Sequence, residues 1–376
     1  MYRTRLEKFQ IPNRRLMGAG PSNIYPEVLE ALSRNEMGHL DPLFIKMMDE
    51  VKSMLRYIFQ TKNEFAIAVS APGSAGMEAC FVNMVEPGDR VVVCVNGLFG
   101  ARMVENVERV GAKAVVVEDE WGAPVSIDKL KTALKENPDT KIVAFVHAET
   151  STGVRSDAEA IAKVAKSHNC LVIADTVTSL AGIPVMTDEW GLDGVYSGSQ
   201  KCFSCVPGLS PLTFSEKAIE KITSRTDKIQ SWFLDQTLVL DYWSGKGKRS
   251  YHHTAPVNSI YALHESLRLM SNEGLEKSWK KHNDAHLRLK KGLEDLGFNF
   301  VVEKKYRLPQ MNSIYVPDGV DELAARMKLL NDFNLEIGAG LGKLSGKIWR
   351  IGLMGYNTRE DCIDYCLDAL KKVLNK

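Results

Sequence analysis

From residue 65 to residue 199 the chain alternates short, almost wholly apolar runs with helical stretches, and no other feature restricts its fold so much. FAIAVS (65–70), RVVVCV (90–95), AKAVVV (112–117), KIVAFV (141–146), CLVIA (170–174) and GVYSGS (194–199) read as buried strands, near-continuously apolar as parallel strands are. Between them SAGMEACFVNMV, ARMVENVERVG, SIDKLKTALKEN and DAEAIAKVAKSHN read as helices. The alternation predicts an α/β fold: an open, mostly parallel sheet with helices on both faces, whose ligands bind at the carboxyl ends of the strands.

Beyond about residue 257 the pattern changes. A long helical tract leads into the candidate strands FNFVVE, MNSIYVP and KIWRIGL and a closing helix, EDCIDYCLDALKKVLN, which predicts a smaller α+β domain. With 376 residues the chain exceeds the roughly 250–300 at which one core stops growing. The expected division is a large α/β domain over 24–257 and a small domain built from 258–376 together with the N-terminal segment 1–23. GKGKRSYHHT (245–254), basic, Gly-bearing and followed by Pro256, is the expected connecting loop.

The charge balance excludes several functions. Lys and Arg number 48 against 47 Asp and Glu, net +1, with no basic block able to track a phosphate backbone, so nucleic acid is not an expected partner. No apolar run approaches the roughly 20 residues that span a bilayer, and MYRTRLEKFQIPNRR lacks a signal-peptide core, so no membrane is expected and the reading is cytoplasmic. Seven thinly spread cysteines suit free thiols in a reducing compartment better than a disulfide framework.

Four features close strands in the first domain, and they fit one cofactor. Asp175 follows LVIA, which puts a carboxylate at the ligand edge of the sheet; Asp is also a preferred helix N-cap. Lys201 comes 26 residues later, after the next strand, so both side chains emerge on the same edge. A partly buried lysine loses proton affinity and becomes a nucleophilic amine, as a Schiff base with an aldehyde cofactor requires. A nearby carboxylate would keep a pyridinium nitrogen protonated. SAPGSAGME (70–78) is a small-residue turn opening a helix, where free N–H groups and the helix dipole favour a phosphate, although such turns also serve tight packing. It lacks the G-x-G-x-x-G of a dinucleotide site. In VNGLFG (95–100), Phe99 could lie flat on an aromatic cofactor, while a core role is the commoner one for phenylalanine.

GAGPSN, AETSTGV, ADTVTSLAGIP, YSGSQKCF, YHHTAP and WRIGL, in this order, resemble the pyridoxal-phosphate aminotransferases of the alanine–glyoxylate and serine–pyruvate type, fold type I, class V. The resemblance runs from about Ile11 to the C-terminus. It implies that Lys201 carries pyridoxal 5′-phosphate as a Schiff base and shuttles a proton, and that Asp175 pairs with the pyridine nitrogen. It further implies that Phe99 stacks on the ring, Val177 packs its other face and Thr150 bonds the 3-oxygen side. Gly73, Ser74 and Gln200 would hold the phosphate, with Tyr251 and Thr254 reaching it from a neighbouring subunit, hence a homodimer with shared sites. Arg350 would fork the substrate α-carboxylate, and Asn23, with the GAGPSN backbone, would help close the substrate pocket. Two residues depart from the family pattern. Pro72 stands where a small or hydroxylated residue is usual and supplies neither N–H nor hydroxyl, and Phe99 stands where tryptophan is common.

The implied activity is an aminotransferase of two half-reactions (ping-pong), moving an amino group from a small amino acid, alanine or serine, to a small 2-oxo acid, glyoxylate or pyruvate. A ureidoglycine- or kynurenine-type transaminase and a lyase or desulfurase of the same fold are the alternatives within cofactor chemistry, and a scaffold without turnover is the alternative outside it. Desulfurases usually carry histidine over the ring, where Phe99 stands here. No metal site is expected: Cys202 and Cys205 lack a second pair and read as packing residues. His282 and His286, four apart in a tract crowded with Lys and Arg, read as part of a solvated face, and His252 and His253 as residues ordering the Tyr251 loop. No G-x-S-x-G elbow occurs to support a serine hydrolase.

Overall fold

A computed structural model describes residues 6–243 and 249–375. Seven strands build the main sheet: β1 (Phe65–Val69), β2 (Arg90–Val95), β3 (Lys113–Glu118), β4 (Thr140–Val146), β5 (Leu171–Asp175), β6 (Gly194–Tyr196) and β7 (Ser210–Phe214). Their spatial order is β1-β7-β6-β5-β4-β2-β3, and only β7 runs antiparallel to its neighbours. The six expected strands are all present to within a few residues at their ends. β7 is the one not foreseen, because SPLTF carries Pro211, and a proline argues against a ladder position. The Pro211 carbonyl still accepts a bond from the Ser197 N–H at 2.8 Å.

The crossover helices are α1 (Gly73–Met84), α2 (Leu98–Arg109), α3 (Ile127–Glu136) and α4 (Ala158–Ser167). Ser126 and Asp157 start α3 and α4 by accepting N–H groups of the first turn with their side chains. Right-handed connections in this strand order send α1 and α2 to one face and α3 and α4 to the other. The packing follows suit, α1 against α2 and α3 against α4.

A second sheet holds Met311–Tyr315, Ile348–Gly352 and Gly338–Ala339, all antiparallel. FNFVVE forms no strand in it and contributes only the isolated bridge of Phe300 with Ile314. Arg15–Leu16 pairs with Leu335–Glu336, and Met17 enters the second core, so the N-terminal segment is fastened to this part of the chain. The long helical tract is two helices, Val257–Glu273 and Leu275–Asp295, separated by Gly274 at φ 85°. The first packs into the core of the main sheet and the second carries Ala285, Leu289 and Leu293 into the smaller core. The second core thus begins later along the chain than residue 258. Of the expected connecting loop, residues 245–248 lie outside the described residues, and 249–254 form no helix or strand.

The histidine pair of the second long helix overturns its expected solvated setting. His282 is fully buried and His286 nearly so. The buried residues Leu275, Ser278, His282, Ala285, His286, Leu289 and Leu293 follow the helical period, so both rings fall on the inward stripe. All seven cysteines are free and buried, Cys202 and Cys205 included. Among the described residues no helix is long and apolar enough to cross a membrane, and no group of His, Cys, Asp or Glu could hold a metal ion.

Candidate active site

Strand ends bring eight of the expected residues into one cavity of about 200 Å³. Gly73 and Ser74 enter from the start of α1, Phe99 from α2, and Thr150 from the turn after β4. Asp175 is the last residue of β5, Val177 lies just beyond it, and Gln200 and Lys201 follow β6. A larger cavity of about 530 Å³ between His147, Trp190 and Tyr306 contains neither Lys201 nor Asp175.

Asp175 is 3% exposed. The Val177 N–H donates to Oδ1 and the Tyr196 hydroxyl to Oδ2, each at 2.8 Å. Burial dominates, and it pushes the carboxyl up to about 7 against these two bonds. Lys201 is 8% exposed, and its Nζ donates to the carbonyl of Ala19. Burial, with the Arg350 charge second, brings its amine down to about 8. The GAGPSN segment crosses directly above this amine: a Cβ on Gly20, whose φ is 95°, would stand 2.5 Å from Nζ. Only glycine combines that left-handed backbone with so close an approach.

Arg350, in the middle of its strand, is 7% exposed and donates from Nε to the Ala339 carbonyl at 2.7 Å and from Nη1 to the Thr150 carbonyl at 3.0 Å. It lies outside the cavity wall but close enough for its charge to act on Lys201. Asn23 does not line the cavity. Its amide oxygen accepts from Leu16 N–H at 2.8 Å and its amide nitrogen donates to the Arg14 carbonyl at 2.9 Å, so the side chain braces the N-terminal segment. Tyr251, 62% exposed, and Thr254 lie outside the cavity of their own chain, with their hydroxyls 3.3 Å apart and the Tyr251 ring against His39. The neighbouring histidines do order that loop: His252 stacks on Trp232 at 4.5 Å, and His253 Nε2 lies 2.7 Å from Ser70 Oγ.

Tyr196 and Arg102 also line the cavity, and Glu149 is bonded to the Phe99 amide at its edge; nothing local in the sequence marks these three polar residues. Tyr196 stands opposite Asp175 in the β5–β6 register, which only strand pairing reveals. Arg102 follows Phe99 by one helical turn, its guanidinium 5.0 Å from that ring's centroid. Glu149, inside the AETSTGV block, is fully buried between the ends of β2 and β4.

These residues fit an anionic aldehyde cofactor. The cavity joins an amine of lowered proton affinity to a buried carboxylate across adjacent strand ends. The first helical amides, of Gly73 and Ser74, are orphan donors by position, and Gln200 lines the same cavity. A mostly parallel sheet with this edge defines the class of fold type I pyridoxal-phosphate enzymes. The chain belongs to the class-V aminotransferases, whose family profile matches residues 16–364, and it is a pyridoxal-phosphate-dependent aminotransferase.

Relatives agree along the whole length. The chain is 38% identical to alanine–glyoxylate aminotransferase of Rattus norvegicus over 97% of this chain and 88% of that one. The crystal structure of alanine–glyoxylate aminotransferase from Nostoc sp. superposes with a TM-score of 0.96 at 47% identity, covering 99% of this chain and 98% of that one. Ureidoglycine–glyoxylate aminotransferase from Bacillus subtilis gives 0.95 at 36% identity, covering 98% and 95%.

Proposed function

We propose that this aminotransferase moves an amino group from a small amino acid, alanine or serine, to a small 2-oxo acid, glyoxylate or pyruvate, in two alternating half-reactions. The observation that carries the proposal is the pairing of Lys201 and Asp175 at neighbouring strand ends in one cavity. The similarity to relatives named for glyoxylate supports that acceptor. A ureidoglycine donor is the second reading, favoured by the likeness to the Bacillus subtilis enzyme.

In this reading Lys201 holds the cofactor aldehyde through Nζ and later carries a proton off the substrate α-carbon, tasks that need the neutral amine its burial favours. Asp175, fixed by Val177 and Tyr196, would pair with the pyridine nitrogen. Bound pyridoxal 5′-phosphate supplies the electron sink for the pair left on the α-carbon. Phe99 and Val177, on the cavity wall, would flank the ring, and Thr150 would bond its 3-oxygen side. Gly73, Ser74 and Gln200 hold the phosphate. Arg350, already oriented by two carbonyls, turns its remaining N–H groups to the substrate carboxylate, which a planar fork binds with defined direction. Asn23 acts at one remove, by fixing the segment that covers Lys201.

Tyr251, which is exposed, and Thr254 do not line the cavity of their own chain, which supports the reading of a homodimer in which they serve the partner's phosphate. Two domains, the smaller including the N-terminal segment, and a cytosolic setting for the free thiols complete the proposal. The burial of all seven cysteines disfavours a desulfurase, which needs a reachable thiol.

Purified protein loaded with the cofactor should lose its visible absorption band on addition of alanine and regain it with glyoxylate. Borohydride treatment should label Lys201. A donor panel separates alanine, serine and ureidoglycine; a loaded protein that keeps its band with every donor is a scaffold instead.

A further inference from the structure

The carboxylate of Glu149 is 0% exposed, yet it lies just past β4, where the strand order reverses between β2 and β4. Burying a carboxylate is costly unless bonds replace its water. Here they do. Oε1 accepts the Ser151 N–H at 3.0 Å and the Ser151 hydroxyl at 2.5 Å, and Oε2 accepts the Phe99 N–H at 3.2 Å. The Gly100 amide also bonds the carboxylate. The Ser151 hydroxyl oxygen in turn accepts the Leu98 N–H at 3.1 Å.

Leu98, Phe99 and Gly100 are the first three residues of α2, whose amides have no acceptor within the helix. The N-cap residue, Gly97, has no side chain to cap them, so Glu149 and Ser151 do so from another strand end. Gly97 is what admits them: a Cβ there would fall 2.3 Å from Glu149 Cγ and 2.6 Å from Ser151 Oγ.

We infer that Glu149 is a positioning residue for the cofactor: its carboxylate, braced by Ser151, grips the start of α2 and so fixes where the Phe99 ring lies over the cavity. The inference rests on the cofactor reading of that cavity. The same charge stands near Asp175, where it favours the protonated carboxyl, and near Arg350, which it helps keep protonated.

The test uses Glu149→Ala, Glu149→Gln and Ser151→Ala, read in two ways. In the apoprotein, hydrogen exchange of the 98–100 amides should quicken by about tenfold or more in Glu149→Ala, matching the loss of charge-assisted bonds. On loading with pyridoxal 5′-phosphate, the visible circular dichroism should change shape and the cofactor should be held about tenfold less tightly. Glu149→Gln, which keeps an acceptor oxygen, should fall between Glu149→Ala and wild type. Unchanged exchange or unchanged dichroism in a folded Glu149→Ala overturns the inference. Should that variant not fold, unchanged values in both Glu149→Gln and Ser151→Ala overturn it. Wild-type protein that takes up no cofactor on Lys201 sinks the functional proposal itself. A coloured wild type with unaltered variants sinks this inference alone.

Discussion

Lys201 and Asp175 are both displaced from their ordinary proton affinities chiefly by burial, and in opposite directions, so each leaves a signature on stability. For Lys201 the folded value of about 8 lies below the ordinary 10.5. Between those limits the unfolded chain binds more protons, so the lysine's contribution to stability rises with pH through that window. Asp175, raised from 3.8 to about 7, makes the folded chain bind more protons in between, and its contribution falls as pH rises through that window. The two penalties overlap near neutrality, where the apoprotein holds both unfavourable charges. Lys201→Met should therefore melt about 2 °C or more above wild-type apoprotein at pH 7. The gap should narrow as pH rises from about 8 towards 10.5. Calorimetry of the two apoproteins across that range checks it, and a pH-independent gap would show that the amine is not desolvated as described.

The elements were legible wherever hydrophobic period and punctuation agreed. β2 was readable residue for residue because RVVVCV is bounded by polar turns, and Ser126 and Asp157 announce their helices by capping. The placement of Lys201, Asp175 and the turn at Gly73 and Ser74 around one cavity was equally legible, since a strand's end places its next residue at the ligand edge whatever the details of packing. What pairs with what was not: Tyr196 meets Asp175 through register, and Glu149 meets Phe99 across two strand ends, and neither relation is local in sequence. The helix Leu275–Asp295 shows a different failure. Its Lys and Arg residues obscure a buried stripe on which His282 lies, with Nδ1 2.7 Å from the Ser278 carbonyl and Nε2 accepting the Gly355 N–H at 3.0 Å. Burial keeps this ring neutral, lowering it to about 4. His282→Ala should leave the Gly355 amide buried without a partner and open a void, costing about 2–4 kcal/mol. A lower urea midpoint at unchanged slope is the expected record. A solvated histidine would change the midpoint little.

At the scale of the molecule, every residue lining the cavity comes from one chain, and Tyr251 and Thr254 are not among them. If two chains exchange these residues, each site takes Lys201 from one subunit and Tyr251 with Thr254 from the other. A chain carrying Lys201→Ala still offers its hydroxyl pair, and a chain carrying Tyr251→Phe with Thr254→Ala still offers its lysine. Neither homodimer contains a complete site. Their heterodimer contains one site with every group intact and one lacking both contributions. Co-expression with two affinity tags and isolation of the mixed species should therefore restore, per intact site, the cofactor affinity and turnover of wild type. The Tyr251→Phe, Thr254→Ala homodimer should hold cofactor about tenfold more weakly, the effect of one or two lost phosphate bonds of about 1 kcal/mol each. Were each site built within a single chain, the mixed species would show no site better than the defective parent's, because the only lysine present would sit beside its own altered hydroxyl pair. The subunit arrangement and the phosphate role of YHHT thus stand or fall on one measurement.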